Sequence, residues 1–178
     1  MKRVIVVTSS PRKNGNSEIL AQKFAEGALS AGNDVQFVAV RDLDLKFCKG
    51  CLYCQTHGKC VLGDGMNALY ENFQNADVLA FATPIYYYSV CGQLKTFLDR
   101  LNPLYLRKNK FKDVYLLAAA ADGDERAMDG AVIDMQGWID CFDGVTLKGT
   151  VRGVGATDKG EISNSPSPAQ AFDLGKNI

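Results

Sequence analysis

Four of the six cysteines of this chain fall in one short stretch, spaced Cys48-x2-Cys51-x2-Cys54-x5-Cys60. Two successive gaps of two residues suit a cubane iron–sulfur cluster, where three closely spaced thiolates take three irons. The run is not that of a ferredoxin, since Val61 rather than proline follows the fourth cysteine. Cys60 is near enough to complete the same cluster if the loop folds back. Structural zinc sites more often pair two knuckles across a longer separation, so zinc is the poorer match. Free thiols or a redox disulfide are the other readings. Lys46, Lys49, Lys59 and His57 surround the window, and positive charge there would favour a reduced, more anionic cluster and raise its potential. His57 itself reads as a solvated loop residue. Cys91 and Cys141 sit in helical patterns and are expected to be inert core thiols.

A second chemical segment runs from Ser9 to Ser17, with hydroxyl and amide side chains, two cations and a helical pattern directly after it. Helix N-termini carry about half a positive charge and free N–H donors, which suits a phosphate. The segment lacks Gly-Lys-Ser/Thr and GxGxxG, which argues against a nucleoside triphosphatase and a Rossmann NAD protein. A third segment, Thr83-Pro84-Ile85-Tyr86-Tyr87-Tyr88-Ser89, offers flat aromatic surface with hydroxyls at its edge.

These loops need a scaffold, and the apolar periodicity supplies one. Residues 4–7, 77–83 and 114–121 are continuous apolar runs of the kind found in strands buried on both faces; 35–40 and 145–152 complete five strands. Pro84 is expected to end the third. Between them lie helical patterns. Leu20, Phe24, Ala28 and Ala31 share one face before a stop at Gly32, and Asp64 is a candidate N-cap for a short helix burying Met66, Leu69, Tyr70 and Phe73. Val90, Leu94, Phe97, Leu98 and Leu101 face inward, with Lys95, Asp99 and Arg100 outward; 125–143 reads as an acidic amphipathic helix and 168–177 as a closing one. Residues 41–65 show no regular element. Strands alternating with helices predict a doubly wound parallel α/β sheet, one domain over 1–178 with a cysteine-rich insertion at about 45–65. Ligands in such sheets bind beyond the carboxyl ends of the strands, where strand order reverses.

Composition sets outer bounds. The 178 residues carry 20 Lys+Arg against 20 Asp+Glu, so no overall field invites nucleic acid or an anionic membrane. No apolar run approaches the roughly 20 residues of a bilayer span, and the start does not read as a signal peptide. A soluble, cytoplasmic protein is expected.

Ser-Pro-Arg-Lys-Asn-Gly-Asn-Ser after a first strand resembles the phosphate loop of NAD(P)H-dependent FMN reductase-type flavoproteins, which have a flavodoxin-like fold. The tyrosine segment followed by Gly92-Gln93-Leu94-Lys95 resembles that family's second flavin loop. The resemblance implies that Ser9, Arg12, Asn16 and Ser17 hold the FMN phosphate, that Pro84, Ile85, Tyr86 and Tyr87 line the isoalloxazine ring, and that the loop at Asp122 closes the third side. The cysteine window is similar to that of the iron–sulfur flavoprotein branch, which implies Cys48, Cys51, Cys54 and Cys60 as ligands of one [4Fe–4S] cluster. Relatives' sequences often read Asp-Asp-Met where this chain has Asp64-Gly65-Met66.

The function implied is an FMN-dependent oxidoreductase passing electrons between NAD(P)H or a ferredoxin and a small or protein acceptor. No catalytic side chain is assigned, because the chemistry belongs to the flavin. With no separate NAD fingerprint, a nicotinamide would stack on the exposed flavin. A cluster-free NAD(P)H-dependent FMN, quinone or nitro-compound reductase is the alternative. A flavodoxin-like carrier is weaker, since the chain lacks both the acidic surface and the Thr-Gly-x-Thr loop of flavodoxins. The resemblance also implies a homo-oligomer, dimer or tetramer; a ferredoxin or another redox protein is a further candidate partner.

Overall fold

Successive residues of a strand point to opposite faces of a sheet, and β1 (Arg3–Thr8) feeds two separate cores in this way. Val4 and Val6 join one apolar cluster while Ile5 and Val7 join the other. The structure, a computed structural model, describes all residues 1–178. After β1 come α1 (Asn16–Ser30), β2 (Asp34–Ala39), a short α2 (Tyr53–His57), α3 (Tyr70–Asn75), β3 (Val78–Tyr86) and the two-residue β4 (Ser89–Val90). Then follow α4 (Gly92–Arg100), β5 (Asp113–Ala119), α5 (Asp129–Ile139), β6 (Thr146–Gly153) and α6 (Ser167–Lys176). Five strands pair in parallel in the order β2-β1-β3-β5-β6, and β4 folds back antiparallel on β3. This is the expected flavodoxin-like α/β architecture, with strand order reversing between β1 and β3.

Helices cover both faces. Leu20, Phe24 and Ala28 of α1 and Ala171 of α6 pack with Val4, Val6, Ala80 and Leu117. Phe73, Leu94, Phe97, Met135 and Ile139, from α3, α4 and α5, pack with Ile5, Val7, Phe81 and Leu116. Where α1 crosses α6 the backbones nearly touch: a Cβ on Gly27 would lie 2.1 Å from the Phe172 carbonyl oxygen. No helix is long and apolar enough to cross a membrane.

Several sequence expectations need correction. Strand β3 continues through Pro84, which pairs with Ala119 of β5. Ala82 turns its carbonyl toward β1, where it accepts from the Ser9 N–H. Two residues on, the proline nitrogen faces the same way, past the end of β1, so no ladder bond is lost. The 125–143 segment divides into a 3-10 turn at Glu125–Met128, capped by the Asp124 side chain, and the shorter α5. Cys141 is exposed on the turn after α5 rather than in the core; Cys91 is buried, but as the N-cap residue of α4. Residues 41–65 do contain regular structure, a 3-10 turn at Val40–Asp42 and α2.

The largest correction is Arg100. Instead of facing water it is 1% exposed, because Asp64 meets it across the fold. Its Nη1 donates to Asp64 Oδ2 and to the Lys46 carbonyl, and its Nη2 donates to Asp64 Oδ1 at 2.8 Å. Asp64 is therefore both the predicted cap, accepting from the Met66 N–H, and half of a buried ion pair. Burial alone would raise the Asp64 pKa. Hydrogen bonds from Arg100 and from the Lys46 and Met66 amides outweigh that and hold it below the ordinary 3.8.

Two outcomes follow from this packing. Gly27→Ala should cost about 1–3 kcal/mol despite better helix propensity, since the methyl meets backbone; Gly137→Ala on α5, where nothing lies within 4 Å, should be neutral or stabilising by about 0.5–1 kcal/mol. Thermal melts of the two variants check the contrast. Asp64→Asn strands the Arg100 charge and should lose about 3–5 kcal/mol in urea unfolding at pH 7. Because folding lowers the Asp64 pKa, its contribution is complete above 3.8 and fades as pH falls through the lower folded value. The gap between wild type and variant should therefore shrink at strongly acid pH.

Candidate functional site

The loop between β1 and α1 opens at the point where strand order reverses. Its shape is set from within. Ser9 gives both its N–H, at 2.9 Å, and its hydroxyl, at 2.8 Å, to the Ala82 carbonyl, and accepts from the Cys91 thiol at 3.2 Å. Asn16 donates to the carbonyls of Ala156 and Asp158 and accepts from the Ile162 N–H. Glu18 accepts from the Asn14 N–H at 2.6 Å and pairs with Arg41 at 2.8 Å, both partly or wholly buried. The side chains of Ser9 and Asn16 are thus committed to protein partners.

Ser17 is different. It is 1% exposed, yet its hydroxyl has no hydrogen-bond partner. A buried polar group left unpaired costs about 1–3 kcal/mol, so such a group usually marks a missing ligand or a stored strain. It sits at the start of the 15-residue α1, whose N-cap is Gly15 and which no side chain caps. Arg12, in the same loop, is exposed and donates to the Thr157 carbonyl at 3.4 Å. The α1 N-terminus thus presents a buried, unpartnered hydroxyl and first-turn amides that no side chain caps.

Beside this loop, β3 and β4 form a hairpin whose two turn residues, Tyr87 and Tyr88, have φ of 50° and 62°. Positive φ at both positions is the favoured hairpin geometry, usually met by Asn-Gly. In tyrosines it costs roughly 1–2 kcal/mol each. Neighbours hold the turn in place. Tyr88 Oη donates to Asp122 Oδ2 at 3.3 Å, the Ser89 hydroxyl donates to Asp134 of α5, and a Cβ on Gly130 would lie 2.1 Å from the Tyr88 carbonyl oxygen. The second and third loops are therefore tied together, with Pro84 and Ile85 half-buried and Tyr86, Tyr87 and Tyr88 exposed. The turn geometry at Tyr87 and Tyr88, and the contacts of Asp134 and Gly130 with it, escape a sequence reading, because a Tyr-Tyr turn gives none of the usual Gly or Asn signal.

The cysteine window lies at the far end of α4. Helix α2 begins after Leu52 and ends at Gly58, both left-handed, and Tyr53 stacks on His57 with ring centroids 3.8 Å apart. His57 is exposed, as expected. Cys48 and Cys51 are exposed, Cys54 and Cys60 half-buried. Asn102 Nδ2 donates to Cys54 Sγ at 3.2 Å, and Arg100 Nη2 donates to Cys60 Sγ at 3.4 Å. Burial pushes the Cys54 thiol up, partly offset by the Asn102 bond, and the charges of Cys60 and Cys48 add to the rise. No three His, Cys, Asp or Glu side chains stand together at metal-ligating spacing. The donor set is nonetheless four soft sulfurs, two of them already receiving N–H bonds, a chemistry suited to iron.

The sequence and the fold are similar to those of known flavoproteins and reductases. Residues 2–157 match the model of the NADPH-dependent FMN reductase family. An iron–sulfur flavoprotein of Methanocaldococcus jannaschii is 29% identical over 126 residues, 69% of this chain and 65% of that protein. One of Archaeoglobus fulgidus is 32% identical over 101 residues, 57% of this chain and 46% of that protein. The matched region thus spans about half to two thirds of these curated relatives. A solved NAD(P)H:quinone oxidoreductase from Methanothermobacter marburgensis shares the fold, with a TM-score of 0.74, 18% identity, and coverage of 99% of this chain and 95% of that one. With the whole sheet and all three loops inside the matched residues, the chain belongs to the NADPH-dependent FMN reductase family.

Proposed function

We propose that this protein is an FMN-dependent oxidoreductase of the iron–sulfur flavoprotein type, working as one domain over 1–178. It passes electrons from NAD(P)H or a ferredoxin to a small or protein acceptor. The unpartnered, buried Ser17 hydroxyl at the uncapped start of α1 carries the reading. In it, Ser17, the first α1 amides and the Arg12 guanidinium hold the FMN phosphate, while Ser9 and Asn16 shape the loop from inside. Pro84, Ile85, Tyr86 and Tyr87 flank the ring with flat surface, and Asp122 closes the third side through its bond from Tyr88. Bound FMN supplies hydride and single-electron chemistry, so the chain needs no acid or base of its own.

Cys48, Cys51, Cys54 and Cys60 are assigned to a [4Fe–4S] cluster. The support is the four-thiolate set, the N–H bonds to Cys54 and Cys60, and the relatives named iron–sulfur flavoproteins. The exposed tyrosine turn leaves room for a nicotinamide, and for a second copy of the chain in a dimer or tetramer. Six free cysteines suit a reducing, cytoplasmic compartment. The alternative, a cluster-free NAD(P)H-dependent FMN, quinone or nitro-compound reductase, draws support from the ungathered geometry of the thiols.

Ser17→Ala should weaken FMN roughly ten- to a hundredfold, the loss of one charge-assisted hydrogen bond. Riboflavin, which has no phosphate, should bind as before; an equal loss for both would sink the phosphate assignment. Protein purified without oxygen should contain flavin, iron and sulfide. Cys54→Ser puts a hard oxygen where a thiolate is needed, and should lose most of the iron while keeping its FMN. Wild-type protein holding FMN but no iron would point to the cluster-free reductase.

A further inference from the structure

Apart from the five-residue α2, the cysteine window has no helix or strand from Leu43 to Asp64 to hold it. What fixes it is a pair of side chains at the end of α4. Arg100 is anchored by Asp64 and by the Lys46 carbonyl, and its remaining Nη2 proton reaches Cys60 Sγ at 3.4 Å. Asn102, two residues on, is half-buried and presents Nδ2 to Cys54 Sγ at 3.2 Å. Arg107 ties the same window down from the other side through the Gly58 carbonyl. A guanidinium whose fork is fixed on one edge by a carboxylate cannot swing away, so its free edge has a fixed direction.

We infer that Arg100 and Asn102 are the positioning residues of the cysteine window, aiming N–H donors at Cys60 and Cys54 so as to orient these sulfurs and ease the one-electron reduction of the cluster once iron is bound. This rests on the iron–sulfur reading above. Hydrogen bonds to ligand sulfur offset the extra negative charge of the reduced cluster, and outer-shell partners commonly decide affinity and potential as much as the ligands do. The exposed lysines of the window make no bond to any of its sulfurs, whereas Arg100 is 1% exposed and Asp64 holds its charge in place.

The test uses the full-length chain, reconstituted anaerobically with FMN, iron and sulfide. Arg100→Lys keeps a cation opposite Asp64 but loses the fork. Asn102→Ala removes the second donor outside the ion pair, and carries the test if Arg100→Lys fails to fold. Each folded variant should retain wild-type FMN content, and the cluster should become harder to reduce. The one-electron equilibrium should shift about tenfold toward the oxidised form, ~59 mV in midpoint potential. A merely structural role would change iron retention or melting without moving the potential of the loaded fraction. Loaded variants with the wild-type potential would overturn this inference and leave the iron–sulfur reading standing. Wild-type protein that takes up FMN but no iron and sulfide would overturn the reading itself, and the inference with it.

Discussion

Ser9, Thr83 and Cys91 are joined by a small set of buried hydrogen bonds at the seam between β1 and β3. Ser9 binds the Ala82 carbonyl twice, the Cys91 thiol reaches Ser9 Oγ, and the Cys91 N–H reaches Thr83 Oγ1 at 3.1 Å. All three residues are essentially without solvent exposure. The exits of two central strands and the entry to α4 are thereby fixed to one another in a region that water does not reach. There each unmade bond would cost the full desolvation of its donor or acceptor. The phosphate-type loop, the tyrosine hairpin and the helix leading to the cysteines all depart from this knot. The N–H and hydroxyl of Ser9 are thus spent within the fold, tying the start of the β1–α1 loop to β3 and to the head of α4.

What the sequence made legible follows from which residues act locally. Strands β1, β3 and β5 sit between two helical layers, and a strand buried on both faces needs an unbroken apolar run, which is easily read. Gly32 and Asp64 likewise act within one turn of their own position. Arg100 was misread because helical periodicity treats every arginine as a surface residue; its burial is set by Asp64, 36 residues away in sequence. Strand β4 and the left-handed Tyr87–Tyr88 turn were missed for a related reason. Their geometry is enforced by Asp122, Gly130 and Asp134 from distant elements rather than by turn-forming residues. At the candidate site, residue types single out the loop between β1 and α1, but not which of its side chains the fold already uses.

The position of α4 gives the arrangement its functional meaning. One end is Cys91, in the knot beside the flavin-type loops; the other is Arg100, against Cys60. Nine residues of helix span about 14 Å at the usual rise. The two regions are therefore held apart by a helix rather than by a loop.

This separation also changes how charge around the cysteines should be weighed. Counting Lys46, Lys49 and Lys59 suggests a strongly cationic window, but all three are exposed. Charges in water at 4 Å interact with only about 1 kcal/mol, and salt screens them further over roughly 8 Å. Arg100 lies in a medium where the same separation is worth several times more, yet its charge is balanced by Asp64 on the opposite edge. Its influence on Cys60 is therefore short in range and directional, carried by one oriented N–H rather than by a diffuse field. Asn102 acts on Cys54 in the same way without any net charge at all. The sulfurs nearest the protein interior are thus governed by geometry, while Cys48 and Cys51 face solvent. The window thus has an exposed pair of thiols on its outer side and two N–H-bonded ones on the side of α4.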